Sequence, residues 1–171
     1  MFLLRKVWKF VFVGVFVLTV AHPQTNPNAL KLSNLKPISI LVENVSDESP
    51  LSKQELESTT RLRLRRNGIN ILPSNSANKY ECSCFLYVNL NVIELNNASG
   101  TLLDEFAYDL EVRFTRADLV ANGVGAVAGT VWEKSFVGYS TSSIRFRKDI
   151  PESLESMLDM FSIEFIEAND L

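Results

Sequence analysis

Cys82-Ser83-Cys84-Phe85-Leu86-Tyr87-Val88-Asn89-Leu90-Asn91-Val92-Ile93 is the stretch that decides the fold. Successive strand residues point to opposite faces, so Cys82, Cys84, Leu86, Val88, Leu90 and Val92 share one face. Phe85, Tyr87, Asn89, Asn91 and Ile93 share the other. After the turn Asn96 to Gly100 the alternation resumes, with Phe106, Tyr108, Leu110, Val112 and Phe114 set against Ala107, Asp109, Glu111, Arg113 and Thr115. Centring the hairpin on Ala98 pairs Leu90 with Phe106, Val88 with Tyr108, Leu86 with Leu110 and Cys84 with Val112. A slip of one residue would turn the whole apolar face to water.

Toward the C-terminus, Asn122-Gly123 is a type I′ turn dipeptide and predicts a second hairpin into Val124 to Val137. That register sets Glu111 against Lys134 and Arg113 against Trp132. Gly123, Gly125 and Gly129 leave it open to a bulge of one residue. Ile144 and Phe146 alternate with Arg145 and Arg147, as in a further short strand. Pro151 suits the first turn of a last helix, in which Leu154, Met157, Leu158, Phe161 and Phe165 form an apolar stripe.

Toward the N-terminus, Pro37 to Val45 is a β-branched run that predicts a first strand. Ser52 with Glu55 makes a capping box, and Leu51 with Leu56 a hydrophobic staple. Asn67-Gly68 ends this helix, with Leu64 and Ile69 placed for the Schellman contact. Arg61, Arg63, Arg65 and Arg66 crowd its last turns, where the dipole favours cations, and Glu57 precedes Arg61 by one helical turn. A solvated helix end explains them more simply than a docking patch for an anionic partner. Ile69 to Leu72 predicts a short strand before Pro73 and the polar loop Ser74 to Lys79. The expected class is therefore α+β: a mostly antiparallel sheet of about five or six strands, two helices on one face, order β-α-β-β-β-β-β-α.

The first residues read as an export signal. Arg5, Lys6 and Lys9 precede the apolar run Phe10 to Ala21, and Thr19-Val20-Ala21 suits a cleavage site. Twelve apolar residues fall short of the ~20 that span a bilayer as a helix. The expected organisation is a signal peptide over residues 1–21, a flexible lead over 22–36 and a single domain over 37–171. No cysteine near the expected cut could carry a lipid anchor, so the mature product is expected to be soluble, in the periplasm or secreted, with no membrane span. The chain carries 17 Lys and Arg against 20 Asp and Glu, and loss of the signal's three cations takes the net charge from −3 to −6. An acidic exported domain does not suit nucleic acid. The one histidine, His22, lies at the signal junction, which leaves histidine-based nucleophilic and zinc chemistry without its ligand or base. Asn44-Val45-Ser46 and Asn97-Ala98-Ser99 match the N-glycosylation pattern, which matters only in a eukaryotic secretory pathway.

Three constellations could carry function. Cys82 and Cys84 fit small buried thiols on the Leu86 face; the alternatives are a strained disulfide, favoured by an oxidising compartment, or a soft-metal clip. Gly123-Val124-Gly125-Ala126-Val127-Ala128-Gly129 lacks the strand-to-helix setting of a phosphate loop and reads as strand. The second sheet face collects Phe85, Tyr87, Asn89, Asp109, Glu111 and Arg113, with Trp132 (and Phe136) joining if the second register holds. Aromatics beside charges suit an interaction surface, and they equally suit cross-strand pairs that stabilise a sheet.

Leu51 to Asp118, with its helix, Asn-Gly-Ile-Asn-Ile-Leu, polar loop and Phe85-Leu86-Tyr87-Val88-Asn89-Leu90 strand, resembles small exported bacterial α+β domains. These occur at the N-terminus of the Tol-system β-propeller protein and in curli-secretion and penicillin-binding-protein-activator lipoproteins. The resemblance implies a binding or assembly role at the cell envelope with no catalytic residue to transfer; an envelope or other extracytoplasmic partner and no cofactor are expected. It departs in the missing anchor cysteine and in the segment carrying Trp132. The expected function is a non-enzymatic exported binding domain; the alternatives are a hydrolase using Asp109 and Glu111, or a thiol or copper protein using Cys82 and Cys84.

Overall fold

The computed structural model describes residues 30, 37–73, 84–97, 99–120 and 126–171, of which 117–120 and 126–128 by their backbone alone. The signal, most of the lead, Cys82 and the Asn122-Gly123 turn lie outside the described residues. Chain order is β1 (Ser39–Val42), α1 (Lys53–Arg66), β2 (Cys84–Asn96), β3 (Leu102–Val120), β4 (Ala126–Ser140) and α2 (Ser143–Asn169). The four strands lie side by side in that order, β1 parallel to β2 and the rest antiparallel. The fold is α+β, as expected, with four strands among the described residues rather than five or six. No helix among the described residues is long and apolar enough to cross a membrane.

Local chemistry explains α1. Ser52 Oγ accepts from Glu55 N while the Glu55 carboxylate accepts from Ser52 N at 2.7 Å, which completes the capping box. At the other end Gly68 adopts φ +80°, Gly68 N donates to Arg65 O and Ile69 N donates to Leu64 O, the Schellman pair. Leu56, Thr60 and Leu64 point into the core, joined by Leu51. The arginine-rich end is more than a solvated terminus. Arg61 pairs with Glu57 and donates to Leu72 O, and Arg63 reaches across to Asp159 and Glu155 of α2.

Two expected strands are absent. Ile69 to Leu72 makes only a single parallel bridge, Ile71 to Ile38, with Leu72 N donating to Ile38 O. Ile144 to Arg147 belongs to α2, which starts at Ser143, capped by the Ser142 side chain, rather than at Pro151. In a strand Ile144 and Phe146 would share an environment; instead they are 81% and 0% exposed. The operative period is helical, running Phe146, Ile150, Leu154, Leu158, Phe161 and Phe165. Pro151 inside a helix costs about 3 kcal/mol. Burying Phe146 and Ile150, at roughly 1.5–3 kcal/mol each, offsets it.

One core joins both helices to a single sheet face, with Leu86, Val88, Leu90, Leu110, Val112, Phe114 and Trp132 beneath α1 and α2. Phe161 touches Phe114 and Trp132, each at 5.2 Å between ring centroids. The β2–β3 register differs from the expected one. Leu90 pairs with Leu110, Val88 with Val112, Leu86 with Phe114 and Cys84 with Arg116. The reach along β3 is four residues longer, an even step, so the apolar face stays on the core side. Half the step comes from a loop centred on Ser99, where Asn97 Oδ1 accepts from Ser99 N and Thr101 N. The rest is an irregularity beyond Asn96–Leu102, where Asp104 takes φ +51°. Its carboxylate then accepts from Ser143 N, tying the hairpin to the start of α2.

Candidate functional site

Among the described residues both α1 and α2 lie on one side of the sheet, and neither covers the opposite face. Strand alternation places Phe85, Tyr87, Asn89, Asp109, Glu111 and Arg113 together there, all half-buried. Trp132 does not join them. Here the register differs from expectation by an odd step: Arg113 pairs with Glu133, Glu111 with Ser135, and Trp132 with Phe114 on the core side. The observed offset already holds at Val120–Ala126 and Leu119–Val127, slips by one at Arg116–Gly129 and Thr115–Thr130, and is restored from Phe114–Trp132 onward by a second shift. Phe136 likewise pairs with Leu110 rather than joining the open face.

The open face is therefore a set of cross-strand rows. Leu41, Tyr87, Arg113 and Glu133 form one; Asn89, Glu111 and Ser135 form the next; Asn91, Asp109 and Val137 follow. Arg113 is central. Its guanidinium carbon lies 4.6 Å from the centre of the Tyr87 ring, a cation–π stack, and its Nε approaches Glu111 Oε1 to 3.1 Å. That approach is an ion pair by distance only, since Nε makes no hydrogen bond. Burial, helped by the Glu43 carboxylate, pushes the Tyr87 hydroxyl above its usual range. Burial also raises the Glu111 carboxyl; Glu133 and Asp109 add to this, and Arg113 opposes it. Glu111 and Glu133 thus flank Arg113, with Asp109 beyond Glu111, so these rows carry three acids to one base. Leu41, Glu133 and Val137 are members that sequence reasoning missed; Gly123, Gly125 and Gly129, which left the register open, were the signal for the last two.

Two grooves lie elsewhere, one between Ser52, Glu55, Arg147 and Pro151, the other between β4 and α2, and neither is lined by Asp109 or Glu111. Such an array can hold a partner by stacking and charge. Cys84, at the start of β2 and buried, is disulfide-bonded, which replaces the reading of it as a free thiol.

No protein-family model matches the sequence, and no curated protein matches it. Among solved structures the chain is similar to a PelC dodecamer from Paraburkholderia phytofirmans, at 18% identity over 75% of this chain and 89% of that one, with a TM-score of 0.40. It is similar to rare lipoprotein B from Shewanella oneidensis at 18% identity, 76% and 92% coverage and a TM-score of 0.27. It is also similar to a minor lipoprotein from Acinetobacter baumannii at 12% identity, 74% and 90% coverage and a TM-score of 0.32.

Proposed function

We propose that this protein is an exported, non-enzymatic binding or assembly domain of the cell envelope that engages its partner through the open sheet face. The observation that carries the reading is the Tyr87–Arg113–Glu111 array, half-buried on a face that neither helix covers. Aromatic and arginine groups dominate binding energy at interfaces. The surplus of carboxylates suits a partner presenting cationic and apolar groups together. The export signal read from residues 1–21 supplies the compartment.

The test is a triple substitution, Tyr87→Ser, Glu111→Gln and Glu133→Gln, followed by thermal melting and by cross-linking in the native host. Loss of the cross-linked partner with melting retained supports the reading. Lowered melting with an unchanged set of cross-linked partners assigns the array to sheet stability and overturns it.

A further inference from the structure

β4 is the edge of the sheet, with β3 as its one strand neighbour among the described residues. The opposite side is partly closed, because Ile38 N donates to Asn70 O and Ile38 O accepts from Leu72 N. From Thr130 to Ser140 the edge contains no proline, and it exposes Phe136, Val137 and Tyr139 by 44%, 77% and 52%. Long apolar edges template pairing with another strand. Beside it runs a groove of about 760 Å³ between β4 and α2, floored by Tyr108, Phe136, Met157 and Met160 and flanked by Lys134 and Asp149.

We infer that the occupant of this edge is a second copy of the chain, its β4 pairing antiparallel with this one about a two-fold axis at Phe136. This inference is independent of the open-face reading. Alternation decides which pairings are allowed: odd-numbered residues must meet odd-numbered ones, because directly opposed residues share a face. Centred on Phe136, the pairing stacks that ring on its mate, opposes Ser135 to Val137 and Glu133 to Tyr139, and sets Lys134 across from Gly138. No like charges are directly opposed.

Lys134 selects a copy of this chain over an arbitrary strand. An edge lysine facing the covered side discourages pairing with an apolar strand, which would strip water from the ammonium and offer it nothing in return. In the two-fold arrangement each Lys134 arrives over the other copy's Gly138. That position has no Cβ, and the Tyr108 ring lies across it: a Cβ there would be 2.4 Å from Tyr108 Cζ. Asp149 and Glu152 line the same groove as Tyr108. The incoming ammonium therefore meets an aromatic face and a carboxylate, twice by symmetry. The two grooves merge over the joined sheets, covering Phe136 and Met160 from both copies.

Sedimentation analysis of the chain as its host exports it, from about 1 to 100 μM, should show a concentration-dependent monomer–dimer equilibrium. Lys134→Glu and Asp149→Lys should each weaken the dimer at least about tenfold, by placing like charges together. The combined K134E/D149K swap should restore it, and circular dichroism on each variant confirms the fold. A chain that stays monomeric across the range, or a dimer indifferent to both reversals, overturns the inference. Binding of an extended peptide at the edge by a chain that stays monomeric would do the same and name the other occupant.

Discussion

Gly138→Ala tests the packing of the β4 edge directly. Gly138 has no left-handed backbone requirement, so alanine is conformationally acceptable and should gain roughly 0.5–1 kcal/mol in a strand from reduced chain entropy. Sterics oppose that gain. The new Cβ would meet Tyr108 Cζ and its hydroxyl oxygen at 2.4 Å and Cε2 at 2.8 Å, whereas carbon contacts settle near ~3.5–4 Å. Tyr108 must move about 1 Å or more to reach that spacing. It is not free to do so, being edge-on to Phe146 at 5.4 Å and tilted against Phe136 at 6.0 Å. Overpacking costs about 1–3 kcal/mol, and loss of the edge-on ring contact about 0.5–1.5 kcal/mol. The net expectation is a destabilisation of about 2 kcal/mol. Urea unfolding should show a lower midpoint at unchanged slope, and melting should fall by about 4–8 °C. The Tyr108→Leu background isolates the cause: there Gly138→Ala should cost nothing or stabilise slightly. An equal loss in both backgrounds, or a loss under about 0.5 kcal/mol in the wild-type chain, would refute the steric reasoning.

Glu111→Gln should stabilise the fold at neutral pH by a few tenths to about 1 kcal/mol, the range for partly exposed charges. Its carboxyl is raised, chiefly by burial, so the folded state holds that proton more tightly than the unfolded state does. Stability from this group therefore rises as pH falls through the raised value and is lost as pH climbs above it. Unfolding midpoints of the two proteins should converge on acidification, and a gap that widens would contradict this. Trp132→Phe should cost less than about 1.5 kcal/mol, because it removes a buried Nε1 donor that has no partner. Trp132→Ala, which empties the site against Phe161, should cost about 3–5 kcal/mol. Similar losses for the two would show that the orphan donor carries no penalty.

The parts of the fold that the sequence made legible are those set by short-range chemistry or by parity. The capping box at Ser52 and the Schellman end at Gly68 need only a few adjacent residues, and both are present. Tyr87, Glu111 and Arg113 share a face because alternation alone assigns faces, and the error in the β2–β3 register was even. The Ile144–Arg147 stretch failed for want of length. Four residues alternating apolar and basic fit a strand as well as a helix turn, and only the buried Phe106, Phe146 and Tyr108 cluster decides between them. Pro151 misled in the same place, since as a helix starter it is an ordinary signal and as an interior residue an expensive one.

β4 was hard to read for a reason that bears on what it does. Its core-side residues are Trp132, Lys134, Phe136, Gly138 and Ser140; its open-side residues are Glu133, Ser135, Val137 and Tyr139, while Val131, at a register shift, packs against the core. Each set mixes apolar and polar groups in similar proportion, so burial preference cannot choose between the two faces, and the pairing set at Val120–Ala126 and restored at Phe114–Trp132 after two compensating shifts decides. A strand inside a sheet under full helix cover could not keep such a composition, because Lys134 would be stranded in the core. It persists here because α2 covers β4 only partly: Trp132 is buried at 1% exposure while Phe136, two pairs along the same side, remains at 44%. The ambiguity of the sequence and the availability of the surface thus have one physical origin. An edge strand half under a helix is asked to suit two environments at once, and the apolar groups left in water on both sides are those that pairing with a second β4 would cover.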